Sequence, residues 1–325
     1  MATGKLVVLT RGMDTESWNL FMAEKPTGWQ VTVVNPDDGE QKVAKQLEDT
    51  QYLVTTSSGP VSSKVLETAK QLKLIQTSGQ DVGHLPVKWA LEKGVPVANA
   101  GGANAIAVAE HTVCLMLACL WRFILLNQSI REGKFRGNID RKGSHELYGR
   151  TVGIVGFGNI GRRVAKLCYS FGANIIYFER LFVPHAVRAD FMACPVSLDE
   201  LLSTSDIVTL HVPSFESNRG MIGWEELCTM KPSAYIINTS RGIVIDQDAL
   251  IRALNEERIA GAGLDVWAPE PPDPKNPLLQ MPNVVATPHA AALSWESRKP
   301  TFETIWRNVL LVSEGKEPMN RIREF

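Results

Sequence analysis

Two kinds of segment alternate along this chain. Short runs of mostly apolar residues predict strands buried in a parallel sheet, and longer amphipathic stretches between them predict helices. This alternation of strand and helix is the pattern of a doubly wound sheet. In the first part of the chain the predicted strands are residues 5–10, 30–34, 52–55, 74–77 and 96–99, and the predicted helices are 43–47, 62–72 and 86–92.

A long apolar stretch separates these elements from a second set. Residues 105–131 predict a single helix buried on nearly all sides, either inside the protein or in a contact between subunits. The glycine-containing segment 101–104 before it predicts a hinge. After the helix, strands are predicted at 152–155, 174–178, 207–211, 235–238, 263–266 and 284–286, and helices at 159–171, 197–203, 224–230, 247–255 and 294–314.

A glycine-rich turn follows the first strand of the second set. Gly156, Gly158 and Gly161 have the G-x-G-x-x-G spacing that permits a tight turn, close approach of a pyrophosphate and close helix packing. The next helix begins there and offers its N–H groups and positive dipole end to phosphates. The second strand ends in Glu179, where an acidic residue reads ribose hydroxyls. Because a carboxylate repels a 2′-phosphate, Glu179 favours NAD, whereas Arg180 leaves NADP as an alternative.

Composition and charge narrow the function class. Hydrophobic residues make up 44% and charged residues 21% of the chain, which is ordinary for a soluble globular protein. The formal net charge of −1 gives no general attraction to nucleic acid or to an anionic membrane. The five cysteines form no C-x-x-C pair, which fits a reducing cytoplasm and predicts no metal site. The N-terminal residues lack an apolar secretory signal and are interpreted as a first strand.

Three polar residues follow predicted strands of the second set. Arg241, Glu270 and His289 lie on loops after the strands at 235–238, 263–266 and 284–286, and we expect them to meet at one edge of the sheet. Arginine can bind a carboxylate bidentately and polarise an adjacent carbonyl, and histidine can transfer a proton near neutral pH. A carboxylate beside the imidazole favours its protonated form. With a nicotinamide nearby, this set predicts hydride transfer to or from a 2-keto acid.

The order of these motifs resembles the D-isomer-specific 2-hydroxyacid dehydrogenase family, which includes glyoxylate/hydroxypyruvate reductases and phosphoglycerate dehydrogenases. The similarity spans nearly the whole chain and is densest between Gly101 and Gly315. The matching strings are A-V-A-E-H-T, V-G-F-G-N-I-G, H-V-P, N-T-S-R-G, G-L-D-V-W and T-P-H. The resemblance implies two doubly wound lobes, with a Rossmann cofactor domain (102–292) inserted into a flavodoxin-like substrate domain (1–101 plus 293–325).

The resemblance also implies roles for individual residues. Arg241, Glu270 and His289 match the catalytic residues of the family, and Asp265 matches the aspartate that binds the nicotinamide amide. The backbone of Ser78, Gly79 and Gln80 corresponds to a loop that binds the substrate carboxylate, although its side chains depart from the usual A-G-x-G form. Trp295 either walls the substrate pocket or packs at the start of the last helix. The full set of cofactor-binding candidates is Gly156, Gly158, Asn159, Ile160, Gly161, Glu179, Arg180, His211, Val212, Pro213, Thr239, Ser240 and Asp265.

The expected partner is a small 2-keto or 2-hydroxy acid, and the expected assembly is a homodimer formed through the long helix. Two other functions stay open at this point. An NAD(H)-sensing corepressor of similar sequence would keep the same three polar residues, although this chain shows no long disordered tail. A relative that oxidises another hydride donor, such as formate or phosphite, is the second alternative. The loop at 77–83 lacks an obvious basic residue for phosphite.

Overall fold

The computed structural model describes residues 3–56, 59, 61–135 and 143–323. The chain divides into two compact units, Met1–Asn104 with Leu293–Phe325, and Ala105–Ala292. Each unit is built on its own parallel sheet with helices packed against it. The predicted α/β fold with two doubly wound lobes is therefore confirmed.

The first unit contains a five-stranded sheet in the order β2-β1-β3-β4-β5. This is the order of flavodoxin-like folds, in which ligands bind beyond the carboxyl ends of the strands. Its strands are β1 (Lys5–Leu9), β2 (Gln30–Val34), β3 (Tyr52–Thr55), β4 (Leu74–Thr77) and β5 (Val97–Ala98). Its first helices are α1 (Thr15–Ala23), α2 (Glu40–Leu47), α3 (Ser63–Leu66) and α4 (Val87–Glu92).

Two helices of this unit differ from the sequence prediction. The helix predicted at 62–72 is only the single turn α3, because the Thr68 hydroxyl bonds to the carbonyl oxygens of Val65 (2.8 Å) and Ala44 (3.0 Å). A threonine hydroxyl that bonds the backbone in this way competes with helix continuation. Helix α1 was not predicted, although Asp14 caps it by accepting the Ser17 N–H at 2.9 Å.

The second unit has a seven-stranded sheet in the order β12-β11-β10-β9-β6-β7-β8. The strand order reverses between β6 and β9, and dinucleotides bind at such a switch point in Rossmann folds. The strands are β6 (Thr151–Val155), β7 (Asn174–Phe178), β8 (Ala193–Pro195), β9 (Ile207–Leu210), β10 (Tyr235–Asn238), β11 (Gly261–Leu264) and β12 (Val284–Ala286). The helices are α5 (Ala105–Leu120), α6 (Phe123–Arg131), α7 (Asn159–Ser170), α8 (His185–Ala189), α9 (Leu198–Thr204), α10 (Trp224–Thr229) and α11 (Gln247–Asn255).

The prediction of one long helix at 105–131 was wrong. The helix is interrupted between α5 and α6. Arg122 adopts a left-handed conformation there, with φ of 49°, which ends the regular helical hydrogen bonding. Helix α5 is buried along most of its length, whereas α6 has no buried residue. The expectation of burial on nearly all sides therefore holds only for the first half.

No single helix among the described residues is long and apolar enough to cross a membrane. Helices α5 and α6 reach that length only when taken together, and they are bent by 63° at the break.

The chain returns to the first unit as α12 (Trp295–Ser313). The Trp306 ring packs on Phe21 in the core, and its indole N–H donates to the Phe21 carbonyl at 2.9 Å. Within the helix, the buried Asn308 amide accepts the N–H of Met319, which lies beyond the helix, at 2.8 Å and donates to the Gln76 side chain at 2.8 Å. The C-terminal segment is thereby fixed against β4, and Ile322 N–H extends the sheet by bonding the Val97 carbonyl.

Candidate functional site

Three neighbouring strands end at the same edge of the second sheet. Strands β10, β11 and β12 lie side by side and parallel, so the loops that follow them emerge together. Arg241 follows β10, Glu270 follows β11 and His289 follows β12. The structure thus carries these side chains on adjacent loops, although they are distant in sequence.

The loop that carries Arg241 is organised by Asn238, the last residue of β10. The buried Asn238 amide donates to the Arg241 carbonyl at 2.9 Å and accepts from both the N–H and the hydroxyl of Ser240, at 3.0 and 2.8 Å. A Cβ added to Gly242 would lie 2.1 Å from the Trp267 carbonyl carbon, so this loop contacts the loop after β11 closely. Sequence reasoning missed Asn238, for which an asparagine at a strand end was the only signal.

Glu270 and His289 form a direct pair. The Glu270 Oε2 atom lies 2.8 Å from His289 Nδ1, and Glu270 Oε1 accepts the Trp267 N–H at 2.9 Å. Burial alone would raise the pKa of Glu270, but the hydrogen bonds from His289 and Trp267 and the nearby charge of Arg241 together lower that pKa. The carboxylate therefore stays ionised, and the imidazole is held through Nδ1 with Nε2 left as the nitrogen for other contacts.

The backbone that carries His289 is fixed by Asp265. The His289 N–H donates to the Asp265 carbonyl at 2.7 Å, and His289 has a φ of 55°, which is uncommon for a residue other than glycine. The fully buried Asp265 carboxylate accepts hydrogen bonds from the Thr287 hydroxyl (2.6 Å) and from the N–H groups of Ala290 (2.8 Å) and Ala291 (3.0 Å). A strained turn of this kind persists because its surroundings over-determine it.

Two polar side chains of helix α5 contact the loops that follow β10, β11 and β12. His111 Nε2 lies 3.1 Å from the Thr287 hydroxyl and 3.5 Å from the Asp265 carboxylate. Thr112 and Thr239 share a buried hydroxyl–hydroxyl hydrogen bond of 2.8 Å. The supporting role of His111 and Thr112 was not predicted; polar residues within an otherwise apolar helix were the available signal.

The backbone of the glycine turn excludes side chains at two of its three glycines. A Cβ on Gly156, whose φ is 95°, would lie 2.5 Å from the His211 carbonyl oxygen, and one on Gly161 would lie 2.1 Å from the Gly156 carbonyl oxygen. A Cβ on Gly158 would meet no heavy atom within 4 Å, so the space beside it is open. Two glycines are thus needed for packing and the third borders open space, which fits a dinucleotide phosphate group at the start of α7.

The other cofactor candidates surround this turn. Glu179 is half-buried and accepts the N–H groups of Phe157 (2.9 Å) and Leu181 (3.2 Å), while Arg180 is exposed. His211 follows β9 directly across the switch point, its N–H bonds to the Val155 carbonyl, and burial lowers its pKa to about 3. Asn159 and Ile160 are the first two residues of α7, and Val212 and Pro213 lie on the loop after β9. Thr239 and Ser240 are buried in the loop after β10.

The substrate-loop candidates belong to the first unit. The carbonyl oxygens of Gly79 and Gln80 are bonded to the Ala100 N–H (3.0 Å) and to the Asn99 amide (2.8 Å), and Ser78 N–H continues the sheet to Thr55. The loop is therefore pinned through its carbonyl groups. A separate candidate of the same unit, Trp295, is the first residue of α12 and is 50% exposed, so it is not a core residue.

Within the described parts of the chain, no group of three or more His, Cys, Asp or Glu side chains is arranged to hold a metal ion.

Comparisons with known proteins point in one direction. The family model described as "D-isomer specific 2-hydroxyacid dehydrogenase, NAD binding domain" matches residues 113–291, which include the glycine turn and all three polar residues. A glyoxylate reductase of Korarchaeum cryptofilum is 36% identical over 288 residues, covering 87% of this chain and 85% of that protein. A hydroxypyruvate reductase of Thermotoga maritima is 36% identical over 289 residues, covering 88% and 91%. The solved structure of an acyclic imino acid reductase in complex with NADPH and D-Arg has a TM-score of 0.85 at 26% identity, covering 98% of this chain and 100% of that one.

Proposed function

Because the chain belongs to the D-isomer-specific 2-hydroxyacid dehydrogenase family, we propose that it reduces a small 2-keto acid, such as glyoxylate or hydroxypyruvate, to the D-2-hydroxy acid. As a member it carries the NAD-binding domain of the family and is an NAD(P)-dependent dehydrogenase acting on CH–OH groups. The observation that carries the finer proposal is the His289–Glu270 pair at 2.8 Å, on the strand edge that also bears Arg241.

Each residue has a distinct task in the proposed reaction. The reduced nicotinamide, when bound, supplies a hydride to C2 of the keto acid. Protonated His289 donates its Nε2 proton to the keto oxygen, and in the reverse direction neutral His289 removes the hydroxyl proton. Arg241 binds the substrate carboxylate and the carbonyl oxygen and stabilises the negative charge that develops there. Glu270 holds His289 through Nδ1 and favours the imidazolium.

The remaining candidates bind rather than react. We propose that the glycine turn with Asn159 and Ile160 binds the pyrophosphate, and that Glu179 accepts ribose hydroxyls beside Arg180. His211, Val212, Pro213, Thr239, Ser240 and Asp265 complete the cofactor site, with Asp265 near the nicotinamide amide. Gly79 and Gln80 bind the carboxylate with their backbone N–H groups. Ser78, whose own N–H bonds the Thr55 carbonyl, holds their loop at the end of β4, and Trp295 borders the substrate.

The test is a steady-state panel on the purified protein. Glyoxylate, hydroxypyruvate, pyruvate, phenylpyruvate and phosphohydroxypyruvate are each assayed with NADH and with NADPH. We expect the highest kcat/KM for glyoxylate or hydroxypyruvate, and we expect NADH to be preferred because of Glu179. Failure to turn over any keto acid would refute the proposal, and a strong NADPH preference would refute the assignment of Glu179.

A variant pair tests the proton donor. His289→Gln should lower kcat by roughly 10²–10⁴-fold, because a positioned general acid contributes about that much. His145→Gln is the matched control, since His145 precedes β6, at the amino end of the sheet, and its N–H bonds the Leu120 carbonyl at the end of α5. Near wild-type turnover of His289→Gln would exclude His289 as the acid.

We also propose a homodimer through the break after α5. Phe123, Ile124 and Ile130 on α6, and Trp121 at the break before it, are apolar side chains that are 45–60% exposed. Exposed apolar clusters of this kind mark protein contacts. Sedimentation should give a dimer for the wild type and a monomer for the double variant Phe123→Glu, Ile124→Glu; a monomeric wild type would contradict the proposal.

A further inference from the structure

Phe157, the residue between the first two glycines, is held on three sides. Its N–H donates to Glu179 at 2.9 Å, and its carbonyl oxygen accepts the Arg162 Nε–H at 2.8 Å. Its ring is 1% exposed and stacks on Tyr177 with centroids 4.0 Å apart and planes at 20°. The peptide groups on both sides of Phe157 are therefore fixed by contacts made within the second unit.

The contact to the carbonyl determines where the next N–H points. The Phe157 carbonyl and the Gly158 N–H belong to one planar trans peptide, so they point in opposite directions. Because Arg162 holds the carbonyl, the Gly158 N–H points away from the Arg162 guanidinium. Gly158 also has an open side, since a Cβ there would meet nothing within 4 Å. That open side is where the proposed pyrophosphate approaches.

Arg162 and the adjacent Arg163 differ in burial and in the carbonyl group to which they donate. Arg162 is half-buried, and its guanidinium carbon lies 5.9 Å from the Phe157 ring centroid. Arg163 is exposed and donates to the Asn159 carbonyl of its own helix, at 3.2 Å. Two adjacent residues of equal charge thus separate an effect through Phe157 from an effect of positive charge near α7.

We propose that Arg162 is a positioning residue for the pyrophosphate: it orients the Gly158 N–H by holding the Phe157 carbonyl. The proposal rests on the nicotinamide-dependent function proposed above. The glycines permit the tight turn but do not select one orientation of the peptide between Phe157 and Gly158. Arg162, the residue after the turn, fixes that orientation.

The experiment measures equilibrium binding by calorimetry with three probes: NADH, ADP-ribose and adenosine. NADH and ADP-ribose contain the pyrophosphate, and adenosine contains no phosphate. The proteins are the full-length wild type, Arg162→Met, Arg162→Lys and Arg163→Met. Lysine keeps the charge but lacks the planar Nε donor.

We expect Arg162→Met to weaken NADH and ADP-ribose by roughly 10-fold, as for the loss of one hydrogen bond to a charged group, with adenosine unchanged. Arg162→Lys should resemble Arg162→Met, and Arg163→Met should stay within about 2-fold of the wild type. In turnover assays Arg162→Met should raise KM for NADH and leave kcat at saturating NADH unchanged.

The other outcomes are distinguishable. If the wild type binds neither NADH nor ADP-ribose, the proposed function fails. If the wild type binds both and Arg162→Met binds them equally well, only the role of Arg162 fails. Equal losses in Arg162→Met and Arg163→Met, full recovery in Arg162→Lys, or an equal loss of adenosine binding would each overturn the positioning role, since they indicate charge or general damage.

Discussion

The Asp265 carboxylate offers the sharpest test of how the His289 loop is held. One oxygen accepts from the Thr287 hydroxyl and the Ala290 N–H, and the other accepts from the Ala291 N–H. Asp265→Asn preserves the shape but replaces one oxygen with an NH₂ group. In either orientation, the NH₂ group faces the N–H of Ala290 or of Ala291, so two donors oppose each other. A buried N–H that loses its acceptor in this way costs about 1–3 kcal/mol of stability.

The lowered pKa of Asp265 gives a separate measure of how much the ionised carboxylate stabilises the folded protein. Burial by itself raises this pKa, but hydrogen bonds from His111, Thr287 and the two backbone groups lower it from 3.8 to about 2. That difference corresponds to roughly 2 kcal/mol of folding stability at neutral pH. Because the folded-state pKa is the lower one, the contribution is complete above the unfolded value near 4 and is lost as pH falls toward 2.

The assay is urea unfolding of wild type and Asp265→Asn at pH 7 and at pH 3, with hydrogen exchange followed in residues 286–292. At pH 7 the variant should be less stable by roughly 2–4 kcal/mol and its loop amides should exchange faster. The difference should shrink at pH 3, where the Asp265 carboxylate of the unfolded wild type is already mostly protonated while that of the folded protein is still mostly ionised. Asp273→Asn, at an exposed aspartate, is the control. A difference below about 0.5 kcal/mol, or one that does not change with pH, would refute the reasoning.

Three further predictions follow from the strand-end loops and the glycine turn. Glu270→Gln should lower kcat for keto-acid reduction, because the neutral amide replaces the carboxylate that holds His289 Nδ1 at 2.8 Å, and an unchanged kcat would contradict the pairing. In the wild type the hydrogen bonds from His289 and Trp267 lower the pKa of Glu270, so the carboxylate stays ionised as pH falls through 4.5. Gly161→Ala should destabilise the protein and weaken NADH binding, because the new Cβ would lie 2.1 Å from the Gly156 carbonyl oxygen. Thermal unfolding and fluorescence titration measure the two effects, and wild-type values in both would mean that α7 shifts freely. Asn99→Ala should raise KM for the keto acid about 10-fold with little change in kcat, because the Asn99 side-chain amide holds the Gln80 carbonyl oxygen of the 78–80 loop. An unchanged KM would show that this loop does not bind the substrate.

Local pattern accounts for what could be predicted. Apolar runs located the strands of both sheets except β8, which was not predicted, because a parallel strand buried on both faces must be apolar along its length. The glycine turn was readable because φ of 95° at Gly156 and the close contact at Gly161 exclude side chains. The positions of Arg241, Glu270 and His289 after strands were also readable, because parallel strands place their carboxyl ends at one edge.

Contacts between distant segments decided the rest. The sequence did not reveal the helix break, because the left-handed conformation of Arg122 leaves no apolar periodicity to read.

Nor did it reveal that Glu179 already bonds the Phe157 N–H, or that Asp265 and His111 brace the turn carrying His289, since each contact joins residues 22 or more positions apart. The sequence by itself therefore determined which residues lie at the sheet edge, through short-range periodicity and glycine sterics. Only the tertiary structure decided how they are oriented, because hydrogen bonds between separate loops fix that orientation.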